Sequence, residues 1–283
     1  MNHQQRHGTV GEGFVPPRAL LIGCLFLLCA LLASADLDQP FTDATNDPAA
    51  VVPLIEAVSA TLPTLPNDEA IALGDRVAPF CRRLFSEALP GRERCGVLTH
   101  ALAAGETPSV LARRYHTSIE LVQRLNPGLD PRTLSIGQEL AVMDLASTPL
   151  ELVVSRSSFR LMVWRGAILV GAFRCGLGRD GSPTPLGATT VRQCARNPEW
   201  RNPDTGKILK PDDPENILGG YWIGFEPRAD LQFKGIGIHG FTGADPEQWL
   251  EKNGSHGCVR LVQEDIALVF ALVRPGVVVT VRE

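Results

Sequence analysis

The sequence predicts a multi-domain α+β chain, in which a short helical region and a small βααβ unit precede a strand-rich domain. Three observations point there. Apolar residues recur at helical spacing between Val51 and Leu84. A strand, two helical stretches and a closing strand follow over 99–143. Short strand-like runs separated by turn residues then fill most of 148–283. At 283 residues, 44% hydrophobic and 20% charged, the chain has room for two modest domains with cores of their own. A net charge of −4 and the lack of a long Lys/Arg run exclude nucleic acid as the main partner.

Residues 1–35 read as a secretory signal peptide. Arg6 and Arg18 form its basic region, Ala19 to Leu32 its apolar stretch, and Ala33-Ser34-Ala35 its cleavage site, leaving Asp36 as the mature start. A spanning helix needs about 20 apolar residues. A retained membrane anchor and a lipobox at Leu21-Ile22-Gly23-Cys24 stay open as alternatives, although Cys24 falls near the start of the apolar run. The membrane is a partner only if this segment is retained. The expected location is exported: the periplasm or cell envelope.

Residues 36–98 read as a linker followed by a small helical region. Positions 36–50 carry the Pro, Asp, Thr and Asn of a linker. Val51, Leu54, Ile55 and Val58 mark one helix; Ile71, Leu73, Val77, Phe80 and Leu84 mark a second, with Pro63 and Pro66 between them. Over 99–143, Val110, Leu111, Tyr115, Ile119, Leu121, Val122 and Leu125 supply the apolar faces of two helices, and Leu140 and Val142 a closing strand. His100 and His116 read as solvated surface residues. Ser147-Thr148-Pro149 opens the last domain, 148–283. Strands are expected at 150–154, 161–163, 168–170 with Phe173 beyond, 221–225, 235–239 and 277–281, and a helix at 264–273. A Pro/Asn/Asp/Gly-rich surface loop spans 196–220, where Trp200 either walls a cleft or covers a satellite core.

Seven cysteines are present. Cys24 and Cys29 lie in the N-terminal segment, which leaves five. Cys81 with Cys95, and Cys175 with Cys194, are close enough in sequence to staple short loops in an oxidising compartment. Cys258 is then the thiol left over, a candidate reactive group.

Cys258 sits in the run Ser255-His256-Gly257-Cys258-Val259-Arg260, with His239-Gly240 upstream. A thiol and an imidazole suffice for nucleophilic acyl transfer, and glycine lets a reacting carbonyl approach the backbone. A metal site is disfavoured, because no carboxylate or second cysteine completes the set His239, His256 and Cys258. The run, with residues 240–254 between its halves, resembles the active-site signature of the YkuD-type L,D-transpeptidase catalytic domains. Ser182-Pro183-Thr184-Pro185-Leu186-Gly187 resembles the family's Thr-Pro-x-Gly loop. Gly105-Glu106-Thr107, Asn126-Pro127-Gly128 and Ile136-Gly137-Gln138-Glu139-Leu140 resemble the fixed points of a LysM peptidoglycan-binding module, although Glu106 and Pro108 depart from its usual residues.

The resemblance implies a mostly β, sandwich or barrel-like catalytic domain. It implies Cys258 as nucleophile and His239 as base, oriented by the Gly240 carbonyl; the imidazole takes the thiol proton to give a thiolate–imidazolium pair. His256 is the alternative base or a cleft wall. Ser255, Gly257 and the N–H groups near Cys258 complete the site as oxyanion donors and loop formers. Arg260 either holds a substrate carboxylate or forms a structural salt bridge. The LysM resemblance places Gly105, Glu106, Thr107 and Asn126 against glycan. Partners are then peptidoglycan stem peptides and glycan strands, and no cofactor is needed. A hydrolase on the same scaffold and a non-catalytic wall-binding protein are the alternatives.

Overall fold

The protein is described by a computed structural model covering residues 37–230 and 232–283. The signal-peptide, anchor and lipobox readings of residues 1–35 lie outside the described residues. None of the described helices is long and apolar enough to cross a membrane.

The described residues open with three helices: α1 (Asp38–Asn46), α2 (Val51–Thr61) and α3 (Asn67–Arg83). Helix α1 corrects the linker reading of 36–50. Its nine residues bury only Phe41 and Ala44, so the apolar periodicity is too sparse to read, and its polar face is the composition that suggests a linker. Helix α2 buries Val51, Val52, Leu54, Ile55 and Val58. Helix α3 carries Asp68 and Glu69 in its first turn and Arg82 and Arg83 in its last, each sign matching the helix dipole.

The βααβ unit consists of β1 (Val97–Ala101), α4 (Pro108–Arg114), α5 (Ile119–Leu125) and β2 (Glu139–Met143). Its strands pair antiparallel, with Val97 opposite Met143. Thr107 and Ser118 cap the two helices, and Pro108 takes the first helical position, where its missing N–H costs nothing. Leu102, Leu111, Val122, Leu140 and Val142 form a small core inside the unit. Leu121, Leu125, Ala141 and Met143 instead join the large core shared with the helices and the strand-rich domain. The Ser118 hydroxyl also donates to the Ala271 carbonyl across that junction, at 2.5 Å.

The strand-rich domain is built on one mixed eight-stranded sheet, which carries the mostly β reading of 148–283. In chain order its strands are β3 (Leu150–Ser155), β4 (Arg160–Arg165), β5 (Ile168–Arg174), β7 (Gly187–Arg196), β10 (Tyr221–Phe225), β11 (Gly237–Gly240), β13 (Val259–Leu261) and β14 (Val278–Arg282). Their spatial order is β13-β11-β10-β7-β14-β3-β4-β5. The short strands β6 (Leu177–Gly178) and β12 (Asn253–Ser255) pair with each other, as do β8 (Trp200–Arg201) and β9 (Ile208–Leu209). Helix α6 (Pro246–Trp249) precedes β12, and α7 (Gln263–Leu272) packs on β10 and β11.

An exposed sheet edge is a liability, and the β5 edge is covered. At Leu169 the backbone N–H donates to Ser59 Oγ on α2 at 2.9 Å, and the carbonyl accepts from Cys81 Sγ on α3 at 3.5 Å. The opposite end of the sheet carries β11 and β13, and there the predicted nucleophile lies.

Candidate active site

Strand alternation gathers the site. Ala195, Trp222, His239 and Arg260 form one row across β7, β10, β11 and β13, because each is register partner to the next. Two residues back along the same face come Gln193, Gly224 and Gly237, with Cys258 beside Gly237. The two glycines make room: a Cβ at Gly224 would lie 2.7 Å from the Trp222 indole nitrogen, and one at Gly237 would lie 2.3 Å from the Ile223 carbonyl oxygen. The Trp222 and His239 rings are 6.1 Å apart, tilted by 32°. This face floors a cleft of about 700 Å³ whose lining includes Trp200, Trp222, His239, His256, Cys258 and Arg260.

The loop that carries the predicted nucleophile is held from within. The buried Ser255 hydroxyl donates to the Cys258 carbonyl at 2.6 Å and accepts the Gly257 N–H at 3.0 Å. Gly257 has φ +113°, a conformation that favours glycine. Ser182 Oγ in the 182–187 loop donates to the His256 carbonyl, and Thr184 Oγ1 accepts the Gly178 N–H, both at 3.0 Å. A Cβ on Gly178 would meet the Ser182 carbonyl oxygen at 2.3 Å, so this loop needs a glycine beneath it.

His239 is 4% exposed. Its Nδ1 donates to the Gly240 carbonyl, and Nε2 has no hydrogen-bond partner among the described residues. Burial pulls the imidazole down to about 4, against the raising effect of that carbonyl, and the Arg260 charge adds to the fall. Burial pushes the Cys258 thiol up to about 11, although the Gly237 N–H and Arg260 favour the thiolate. The thiol's own hydrogen bond runs to the Gly235 carbonyl at 3.8 Å. Burial thus favours the neutral form of both the Cys258 thiol and the His239 imidazole.

Arg260 forms no salt bridge with a described carboxylate; its guanidinium lies 3.9 Å over the Phe241 ring, and its Nε is buried without a partner. His256 turns toward the 196–220 loop, where Nε2 meets Asp204 Oδ1 at 2.9 Å. Asp204, Trp222 and Phe241 are site residues that the sequence reading missed. Trp222 was legible in principle, two residues from Gly224 in an aromatic strand; nothing local marks Asp204.

Two of the side chains in the LysM-like assignment make contacts within the unit itself. Glu106 accepts the Ala103 N–H at 2.9 Å, meets His100 Nε2 at 2.6 Å and pairs with Arg114 at 2.6 Å. The Ala103 N–H first, then His100, holds its carboxyl below the ordinary range. Asn126 bonds the Val122 and Ala141 carbonyls and the Ala141 N–H, all at 2.7–2.8 Å. Both side chains are committed to the unit's own structure. Thr107 caps α4, and Gly105, at φ +79° with open space around it, is the exposed turn. His100, read as a solvated residue, is half-buried between Glu106 and the Tyr115 hydroxyl at 2.8 Å.

Neither expected disulfide is present: Cys81, Cys95, Cys175 and Cys194 are free thiols. Cys81 bonds the Leu169 carbonyl at the covered sheet edge. Cys175 is buried at the end of β5 near Arg160 and Glu251, whereas Cys194 faces the Val273 carbonyl beyond α7. Burial pushes all four thiols up, Cys95 to about 12 and Cys194 to about 11.

The YkuD family, an L,D-transpeptidase catalytic domain, matches residues 149–281, and the LysM domain matches 102–142. Relatives named as L,D-transpeptidases include YqjB of Bacillus subtilis, 27% identical over 46% of this chain and 70% of its own. YkuD of Bacillus licheniformis is 22% identical over 65% of this chain and 99% of its own. YcfS of Escherichia coli is 26% identical over 62% of this chain and 59% of its own. A solved L,D-transpeptidase from Mycobacterium tuberculosis H37Rv is 22% identical with a TM-score of 0.38, covering 53% of this chain and 64% of its own. The chain carries a YkuD L,D-transpeptidase catalytic domain at 149–281 behind a LysM domain at 102–142, and so is an enzyme of the L,D-transpeptidase type.

Proposed function

We propose that this enzyme is exported to the cell envelope and forms 3→3 cross-links in peptidoglycan through a thioester on Cys258. The observation that supports this most is the shared cleft face. Cys258 immediately precedes β13 and His239 sits on the adjoining β11, with His239 Nδ1 bound to the Gly240 carbonyl and Nε2 left for proton transfer. The LysM and transpeptidase domains together go with cell-wall association.

Cys258 Sγ attacks the carbonyl at the L-centre of the diamino acid in a donor stem tetrapeptide. A carbon–sulfur bond forms, and the carbon–nitrogen bond to the terminal D-alanine breaks. The thiol proton passes to His239 Nε2 and then to the leaving amine. Burial favours the neutral form of both groups, so proton transfer accompanies the attack of sulfur. A side-chain amine of a neighbouring stem then takes the acyl group; the carbon–sulfur bond breaks, and the amine's proton returns through His239 to the sulfur. The Gly257 N–H is already bound to Ser255, which leaves the Cys258 N–H as the loop's donor to the oxyanion. Arg260, lacking a carboxylate partner, holds the donor's carboxylate in the cleft. Trp200 and Trp222 wall its apolar side, and the exposed turn at Gly105 offers backbone groups to a glycan. The cycle uses no metal or organic cofactor.

Imipenem is the first probe, since a solved L,D-transpeptidase is described in complex with it. Mass spectrometry of wild type and Cys258→Ala after imipenem treatment should show one covalent adduct, on wild type alone. Digested peptidoglycan incubated with the enzyme should then yield 3→3 dimers. No adduct on a folded wild type with reduced Cys258 defeats the nucleophile assignment. Adduct formation with only shortened stems means that water is the acceptor, and the enzyme is a hydrolase.

A further inference from the structure

Helix α3 lies outside both matched domains, yet it reaches into the catalytic one. Asp75 on α3 takes a two-pronged contact from Arg160 on β4, with Nε to Oδ1 at 2.7 Å and Nη2 to Oδ2 at 2.6 Å. Arg160 is 6% exposed, and its Nη1 reaches Glu251 Oε1 at 2.5 Å and the Ser158 carbonyl at 2.9 Å. Arg174 binds the other Glu251 oxygen. A buried guanidinium thus ties a helix to a residue in the segment that leads to the nucleophile.

Glu251 is well placed to transmit that tie. It is not glycine, yet it holds a left-handed backbone at φ +57°, which the surrounding structure must impose. Its N–H donates to the Cys175 carbonyl at 3.1 Å, and the next carbonyl, of Lys252, accepts the Leu177 N–H at 3.0 Å. From there β12 runs alongside β6 to Ser255, whose carbonyl accepts the Arg179 N–H at 2.9 Å. After the turn at Cys258, Arg260 exchanges two backbone bonds with Gly176. Residues 251–260 therefore form one lariat gripped along 175–179, and Glu251 is its anchored foot.

We propose that Asp75, Arg160 and Glu251 form a positioning chain for the nucleophile loop, so that the N-terminal helices set the geometry at which Cys258 attacks. These are positioning residues, since none touches the cleft. The proposal rests on Cys258 being the reacting thiol.

The test uses the full chain, in wild type and as Asp75→Asn, Asp75→Glu, Glu251→Gln and Glu251→Gly. The last removes the carboxylate while suiting the left-handed backbone, so it is the variant expected to fold best without its anchor. Imipenem acylation is followed by mass spectrometry across concentrations, alkylation of Cys258 by iodoacetamide is followed by peptide mapping, and hydrogen exchange is measured over 252–258. Misplacement of reacting groups by about 1 Å costs up to about a hundredfold. The maximal acylation rate should fall about ten- to a hundredfold in Asp75→Asn and both Glu251 variants, with the half-saturating concentration unchanged. Alkylation and exchange should rise as the loop loosens, and Asp75→Glu, which keeps the charge, should return toward wild type. If the variants melt earlier but acylate, alkylate and exchange as wild type does, the chain only holds the fold together and the proposal is overturned. A wild type that alkylates at Cys258 but never reacts with imipenem defeats the transpeptidase reading alone. The alkylation and exchange rates of the variants then still decide the positioning role.

Discussion

Two histidines of this chain, His239 in the cleft and His100 in the LysM domain, are both withdrawn from solvent and both hydrogen-bonded. His100 spends both ring nitrogens on protein partners, Tyr115 at Nδ1 and Glu106 at Nε2. His239 spends one, on the Gly240 carbonyl, and its other nitrogen has no partner among the described residues. A saturated imidazole is a strut: both ring nitrogens are held by protein partners, closing the loop that carries Gly105. A half-saturated one is oriented yet open to chemistry. Hydrogen-bond satisfaction, more than burial, separates the structural histidine from the candidate base.

The largest expected effect that sharpens this contrast is on rate. His239→Ala should slow acylation of Cys258 by about 10²–10⁴-fold, the usual worth of a positioned general base, while His100→Ala leaves that rate unchanged. Equal losses in stopped-flow acylation would erase the distinction.

A second difference appears in pH dependence. His239 falls from an ordinary 6.5 to about 4 in the folded protein, so the unfolded chain takes up the proton first as the pH drops. Stability is therefore retained above pH 6.5 and lost progressively down to about pH 4, by about 3 kcal/mol in all. Urea titrations across that window should show the loss, and His239→Gln should remove that part of it. The acid limb of kcat/KM should likewise lie near 4 and not near 6.5.

Smaller again is the cost of filling the floor of the cleft. Gly237→Ala brings a Cβ to within 2.3 Å of the Ile223 carbonyl oxygen and 2.9 Å of the Trp222 ring, so the backbone must shift by about 1–3 kcal/mol of strain. Gly105→Ala meets no atom within 4 Å and suffers only from its left-handed φ of +79°. Thermal melting should rank the two variants in that order. The smallest effect is expected at Glu106→Gln, which should speed hydrogen exchange over 101–107 and leave acylation untouched.

Residues close together in sequence were legible where their chemistry is local. Ser255-His256-Gly257-Cys258 folds on itself through the Ser255 hydroxyl, and that compact turn can be read from four neighbouring letters. The helices at 51–61 and 67–83 and most strands followed from apolar periodicity, because each buries one face against the core. Helix α1 escaped notice because two apolar contacts suffice to hold it. The Cys175–Cys194 pairing failed for a different reason. Closeness in sequence says nothing about the side of a sheet to which a thiol points, and these two end up among unrelated neighbours.

By itself, the sequence determined the order of the modules and singled out the candidate nucleophile and its candidate histidine, since covalent neighbourhood and side-chain chemistry are carried by the letters themselves. Tertiary structure alone decided which polar groups are left unsatisfied. It joined Asp204 to His256 and Asp75 to Glu251 through Arg160, gave Cys81 to a sheet edge, and closed Glu106 and Asn126 into their own module. Such pairings depend on burial, which makes an unpaired polar group costly, and burial belongs to the packed molecule and not to any stretch of its chain.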